Sequence, residues 1–223
     1  DSYSKAKAQL IKLVNREARR VQFLMDSDRL TAVDKALFTA LLDREMEEDT
    51  LVSSIQELTE LLEIHFNQKV IVLIDEYDVP LAKANQNGYY DKMVLLLRNF
   101  LENVLKTNES LEFAVLTGCL RIAKESIFTG LNNFKVYSIT DADYDEMFGF
   151  NDKEVKEMLL TFDQQEKYDE VKEWYDGYRF GNADVYCPWD VVNYCADHLT
   201  HPGAVPKNYW LNTSGNEVIN RFI

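Results

Sequence analysis

Residues 70–78 read VIVLIDEYD: five consecutive β-branched or aliphatic side chains, two adjacent carboxylates, a tyrosine and a third acid. A continuous apolar run of this kind, rather than an alternating one, is the pattern of a strand buried on both faces in a parallel sheet. In open α/β sheets ligands collect beyond the carboxyl ends of the strands, and Asp75 and Glu76 fall there. Asp75 is suited to orient Mg²⁺ through its water shell, and Glu76 to polarise an attacking water as general base. Repulsion between the neighbouring acids helps keep one of them basic. The same residues read equally well as a strand ending in solvated acids.

Outward from this strand, the spacing predicts a helix over residues 90–106 (Met93, Leu96, Leu97, Phe100, Leu101, Leu105) and a second buried strand over residues 111–116. Strand, helix, strand implies a right-handed crossover and an α/β sheet covered by helices. The second strand ends in Thr117-Gly118-Cys119-Leu120-Arg121, which brings Arg121 to the same sheet edge. There it is either a cation for a terminal phosphate or a surface partner of Asp75 or Asp78. Residues 134–139 read as a third, shorter strand. Upstream, Leu10, Leu13, Val14, Ala18, Val21 and Leu24 recur at helical spacing, Thr31 with Asp34 opens a second helix, and residues 51–66 form a third. Downstream, Asn151 with Glu154 opens a helix, another covers residues 165–174, WYDGYRFG (174–181) reads as a turn, and Pro188 sits in the first turn of a last helix.

Composition narrows the functional classes. With 24 basic and 38 acidic residues the net charge is 24 − 38 = −14, which repels phosphate backbones and makes a broad nucleic-acid surface improbable. No apolar run reaches the roughly 20 residues of a membrane span. Cys119, Cys187 and Cys195 form no CxxC pair and suggest a reducing, cytoplasmic setting. Cys187 reads as a small buried residue. Cys195, His198 and His201 have a superficial metal-ligand spacing, but the steps of three and Pro202 read as a fraying helix end rather than zinc ligands. Trp174, Tyr175, Tyr178 and Phe180 read as core packing around Gly177 and Gly181.

Several blocks are specific: LIDEYDVPL (73–81), NGYYDKMVLLLRNFL (87–101), EFAVLTGCLRIAKESIFTGLNNFKVYSI (112–139), FGF (148–150), EWYDGYRFG (173–181) and YWLNTSGNEVI (209–219). They closely resemble the bacterial predicted AAA-ATPase-like family. The resemblance implies a P-loop NTPase core of AAA/STAND type, here residues 1–145, followed by a helical or winged-helix lid, residues 146–223. Relatives often continue into a restriction-endonuclease-like nuclease domain. Asp75 and Glu76 match the family's Walker B acids, with Mg²⁺ held on Asp75 through water, and Arg121 matches a sensor-type arginine that touches nucleotide. Asp78, Lys124, Trp174, Asp176, Tyr178, Arg179, Asn212 and Ser214 fall at other family-matching positions. Asn212 to Gly215 either caps a last helix or reaches a nucleotide from the lid, and Lys124 with Glu125 and Ser126 reads equally as a helix start.

No GxxxxGK[ST] occurs in the 223 residues, and Gly118 to Lys124 has the wrong spacing. The amides, lysine and hydroxyl that cradle phosphates and Mg²⁺ are therefore expected upstream of Asp1, in a longer protein that binds ATP. Alone, this chain is expected to bind neither ATP nor Mg²⁺ tightly. Two other readings stay open: a non-catalytic interaction or regulatory domain, and a metal-dependent phosphoesterase using Asp75, Glu76 and Asp78 directly. A sheet without its P-loop strand is also expected to expose an edge through which copies could pair.

Overall fold

The computed structural model describes residues 2–119, 127–128, 131 and 133–211. The chain divides into two compact units, Asp1–Phe134 and Lys135–Ile223.

The first unit begins with three helices, α1 (Tyr3–Arg20), α2 (Ala32–Leu41) and α3 (Glu48–Phe66). The start of α2 is fixed by its sequence: Asp34 N–H donates to Thr31 Oγ1 at 3.2 Å while Thr31 N–H donates to Asp34 Oδ2 at 2.8 Å, a reciprocal cap. Its far end is held by buried Asn15, whose Nδ2 donates to the carbonyls of Leu41 (2.7 Å) and Asp43 (2.9 Å). These bonds satisfy acceptors that a helix end otherwise leaves open. α3 ends on Asn67 in the left-handed region (φ 53°), a conformation asparagine tolerates better than most residues.

Strand β1 (Val70–Ile74) follows, then α4 (Val79–Gln86), α5 (Tyr90–Leu105) and β2 (Leu111–Leu116). β1 and β2 pair in parallel, with Ile71 opposite Phe113, Leu73 opposite Val115 and Ile74 opposite Leu116. An irregularity between Val70 and Ile71 leaves Glu112 as the extra residue of β2. Helix α4 has Pro80 in its first turn, where a missing N–H costs nothing. Ile74 and Leu116 pack on a core formed by Leu51, Leu81, Met93, Leu96, Leu97 and Leu101, so helices cover one face of the sheet.

The other face departs from expectation. Burial on both faces was predicted for both strands, yet Ile71, Leu73, Phe113 and Val115 are 50%, 73%, 50% and 47% exposed. Their alternation with the covered residues shows the reason: among the described residues only one helical layer packs on the sheet. Each strand also has one unpaired edge among the described residues.

The second unit holds α6 (Asp152–Thr161), α7 (Tyr168–Tyr175), the strands β3 (Asp176–Phe180) and β4 (Ala183–Tyr186), and α8 (Pro188–Thr200). Asn151 and Glu154 cap α6 reciprocally, and Pro188 occupies the first turn of α8. Val155, Leu159, Val171, Tyr175, Tyr186, Val191, Tyr194 and Cys195 form its core. Two expectations are corrected here. Residues 134–139 form no strand: Ser138 N–H is taken by Asp141 Oδ2 at 2.6 Å and the Ile139 carbonyl by Gly181 N–H at 2.8 Å, which bends the segment into a turn. WYDGYRFG is not a turn but the end of α7 and all of β3, which pairs antiparallel with β4. The turn is Gly181, the last residue of that stretch, with Asn182, a strong hairpin signal. A Cβ at Gly181 would lie 2.4 Å from the Asp141 carbonyl oxygen, and its φ of +49° is also left-handed, so glycine is required twice over.

Candidate functional site

The carboxyl ends of β1 and β2 lie side by side, and Asp75, Glu76 and Thr117 meet there. Asp75 and Glu76 follow β1 directly and both are exposed. Thr117, the first residue after β2, holds them in place through four contacts. Its N–H donates to the Ile74 carbonyl (2.9 Å), its own carbonyl accepts from Tyr77 N–H (3.1 Å), its hydroxyl donates to Asp75 Oδ1, and Glu76 N–H donates to that hydroxyl oxygen (3.4 Å). The parallel register causes this arrangement: Ile74 pairs with Leu116, so the next residues on each strand, Asp75 and Thr117, meet.

Glu76 sits at φ 54°, an uncommon conformation for a residue with a Cβ, and the acid pair thereby turns away from the strand axis. Asp78, grouped with the acids by sequence, is separated from them by burial: it is 4% exposed and stands at the N-terminus of α4, its carbonyl accepting from Leu81 and Ala82 N–H at 3.0 Å each. Gly118 makes room for it. A Cβ there would come within 2.8 Å of Tyr77 Cε1 and 2.9 Å of Asp78 Oδ1. Burial, reinforced by Asp78, raises the Tyr77 phenol above its ordinary range. Burial also raises the Cys119 thiol, with Asp78, Glu76 and Asp75 adding to the shift in that order.

Asp75 presents an exposed carboxylate hydrogen-bonded to a neutral hydroxyl, a hard oxygen donor of the kind that holds Mg²⁺ through water. Among the described residues no group of three or more His, Cys, Asp or Glu is arranged to hold a metal ion. The direct three-acid site imagined for a phosphoesterase is therefore not assembled by Asp75, Glu76 and Asp78. Thr117 is the residue that sequence reasoning missed. Counting from the strand ends would have found it, because a hydroxyl one residue past β2 must face the acid one residue past β1.

Arg121, Lys124, Asn212 and Ser214 lie outside the described residues. Trp174, Asp176, Tyr178 and Arg179 belong to the second unit. Contrary to the core-packing expectation, Trp174 and Tyr178 are 53% and 54% exposed; β3 and the end of α7 turn only Tyr175 and half-buried Phe180 inward. Asp176 pairs with Tyr186 across the hairpin, and Arg179 Nη1 donates to Asp184 Oδ1 at 2.6 Å. That exposed cross-strand pair contributes little to stability. Cys187 is half-buried at the N-terminus of α8. His198 is buried with Nδ1 against the Tyr194 carbonyl (2.9 Å), whereas exposed His201 contacts Thr200, so Cys195, His198 and His201 do not converge.

Adjacent carboxylates at the end of one parallel strand, tied to a hydroxyl at the end of its neighbour, define an α/β domain whose polar site lies on the carboxyl edge of the sheet. Residues 1–128, more than half of the chain, match the family described as predicted AAA-ATPase, and the chain belongs to that family. It is also 29% identical over 134 residues to a protein of Azotobacter chroococcum mcd 1 described as an uncharacterized protein in the vnfD 5′ region. That match takes in 56% of this chain and 24% of the relative, so the chain spans about a quarter of the relative's length. No solved structure matches the chain. No helix among the described residues is long and apolar enough to cross a membrane.

Proposed function

We propose that this chain carries the hydrolytic half of a Mg²⁺-ATP site and that the phosphate-binding half, a GxxxxGK[ST] loop, belongs to sequence outside these 223 residues. The observation that carries the reading is the clasp of Asp75 and Glu76 by Thr117 at the carboxyl edge of a parallel sheet. Asp75, oriented by the Thr117 hydroxyl, would hold Mg²⁺ through water, and the bound ion would neutralise charge on the terminal phosphates. Among the described residues the Glu76 carboxylate makes no hydrogen bond, and it is exposed, so it is free to take a proton from an attacking water. Thr117 keeps Asp75 from swinging into solvent and fixes the backbone that aims Glu76. Arg121, a few residues beyond Thr117, is assigned to the terminal phosphate, and the second unit to the lid over the nucleotide.

A protein extended upstream to include the phosphate loop should bind Mg²⁺-ATP, and Glu76→Gln in that protein should bind ATP but fail to hydrolyse it. An extended protein with no nucleotide affinity by calorimetry would sink the proposal. It would favour a non-catalytic domain that keeps the fold as an interaction surface, a reading to which the uncovered apolar sheet face lends support.

A further inference from the structure

The left-handed backbone of Glu76, at φ 54°, is a conformation that a residue with a Cβ adopts only at a cost. Such strain persists where the surroundings over-determine it, and here the surroundings can be named. On one side, Asp75 is fixed by the Thr117 hydroxyl. On the other, Tyr77 N–H donates to the Thr117 carbonyl at 3.1 Å, and the Glu76 carbonyl accepts from Val79 N–H at 3.2 Å. The Tyr77 side chain adds a second kind of hold. Its half-buried ring packs against the core of the first unit and meets Phe128 edge to face, with centroids 5.3 Å apart. Phe128 is itself packed on Phe134 at 5.0 Å. Gly118 leaves the ring its place, since a Cβ there would lie 2.8 Å from Tyr77 Cε1.

We propose, resting on the reading of Glu76 as general base, that Tyr77 is the positioning residue that directs its carboxylate and that Gly118 is the space this requires. Within one residue the chain must pass from an acid held at the sheet edge to a ring sunk in the core. Asp75 and Tyr77 are both tied to Thr117, so the residue between them takes up the whole change of direction. Its side chain is thereby turned out into solvent, where a substrate water can reach it. The ring is a firm anchor, because interiors are close packed and a displaced aromatic loses a large contact area. Burial of Tyr77 thus offsets the strain at Glu76. Thr117 holds the acid pair from the sheet side, and Tyr77 holds it from the core side.

Urea denaturation of the 223-residue chain reads the strain directly. Glycine reaches this φ without penalty, so Glu76→Gly should have a midpoint about 0.3 M above that of Glu76→Ala, both having lost the same carboxylate. Adding Tyr77→Ala to each should abolish the difference, because residue 76 can then relax, whereas adding Tyr77→Phe should preserve it. Gly118→Ala, which displaces the ring rather than removing it, is the second variant and should also abolish it. In the protein extended upstream, Tyr77→Ala should lower kcat about tenfold or more with calorimetric Mg²⁺-ATP affinity unchanged, and Tyr77→Phe should restore kcat. Equal midpoints for glycine and alanine at residue 76 would overturn the proposal. So would a difference that survives both Tyr77→Ala and Gly118→Ala, a loss in Tyr77→Phe equal to that in Tyr77→Ala, or an unchanged kcat in Tyr77→Ala. An extended parent with no nucleotide affinity would sink the ATPase reading instead, and the urea comparison would still decide whether Tyr77 sets the backbone of Glu76.

Discussion

The two small sheets of this molecule are built on opposite principles. β1 and β2 are parallel, joined through two helices, and apolar on both faces; β3 and β4 are antiparallel, joined by Gly181-Asn182, and largely polar or aromatic on the exposed side. The hairpin satisfies itself locally. Its turn is docked on residues 139–145 by the Gly181 N–H bond to the Ile139 carbonyl and by the Asn182 N–H bond to Asp145 Oδ2 at 3.0 Å. The parallel pair depends on layers above and below. An exposed apolar face is therefore informative in the first sheet, whereas an exposed Tyr178 in the second is ordinary surface.

Mutations on the two sides of the parallel sheet offer the sharpest way to break this contrast. Leu96, 2% exposed on the helix that covers one face, should cost about 3 kcal/mol when changed to Ala. Leu73→Ala on the open face should cost less than about 0.5 kcal/mol. Urea denaturation followed by circular dichroism measures both, and similar costs would mean that the two faces are equally buried.

In the hairpin, Gly181→Ala should cost about 2 kcal/mol, because the new methyl meets the Asp141 carbonyl and the left-handed backbone is disfavoured. The three tryptophans, Trp174, Trp189 and Trp210, all lie in the second unit, so their fluorescence follows that unit alone. A loss seen by circular dichroism with no change in the tryptophan transition would contradict this placement of the strain.

The smallest effect is electrostatic. Asp152 accepts from Lys156 at 2.5 Å, from Tyr186 at 2.9 Å and from Tyr168. Lys156 first, then Tyr168, holds its pKa down at about 2. The unfolded carboxyl takes up its proton first, so the contribution is fully present above the ordinary carboxylate range. It is lost as pH falls through about 2. Acid titration by tryptophan fluorescence should show the second unit weakening between pH 4 and 2, and Asp152→Asn should flatten that dependence. Asp152 is half exposed, so the shift in midpoint is expected to be small.

Much of this was legible in the sequence for identifiable reasons. Thr31 with Asp34 and Asn151 with Glu154 mark helix starts because capping is local, and VIVLI and LEFAVL mark strands because their composition is. The acids at the end of β1 followed from one strand and one rule of topology. What local reading could not supply was pairing. FKVYSI has the side chains of a strand but turns back on Asp141, and WYDGYRFG looks like a turn until β4 is set beside it. Register also hid Thr117, whose role exists only once residue 74 is known to face residue 116. Burial failed for the same reason: an apolar strand announces that it can be covered, and not whether it is.

The distance along the chain between Asp75 and Thr117, 42 residues, has a consequence in time. A two-residue hairpin such as β3–β4 closes on a scale of about 1–10 μs, since its loop entropy is small. The clasp on the acids waits for a far longer loop, with α4 and α5 inside it, to close in one register. Closing that loop costs more entropy than closing the hairpin, so the carboxyl edge of the first sheet is expected to form later than β3–β4. Asp75 and Thr117 meet only once β1 and β2 have paired in register.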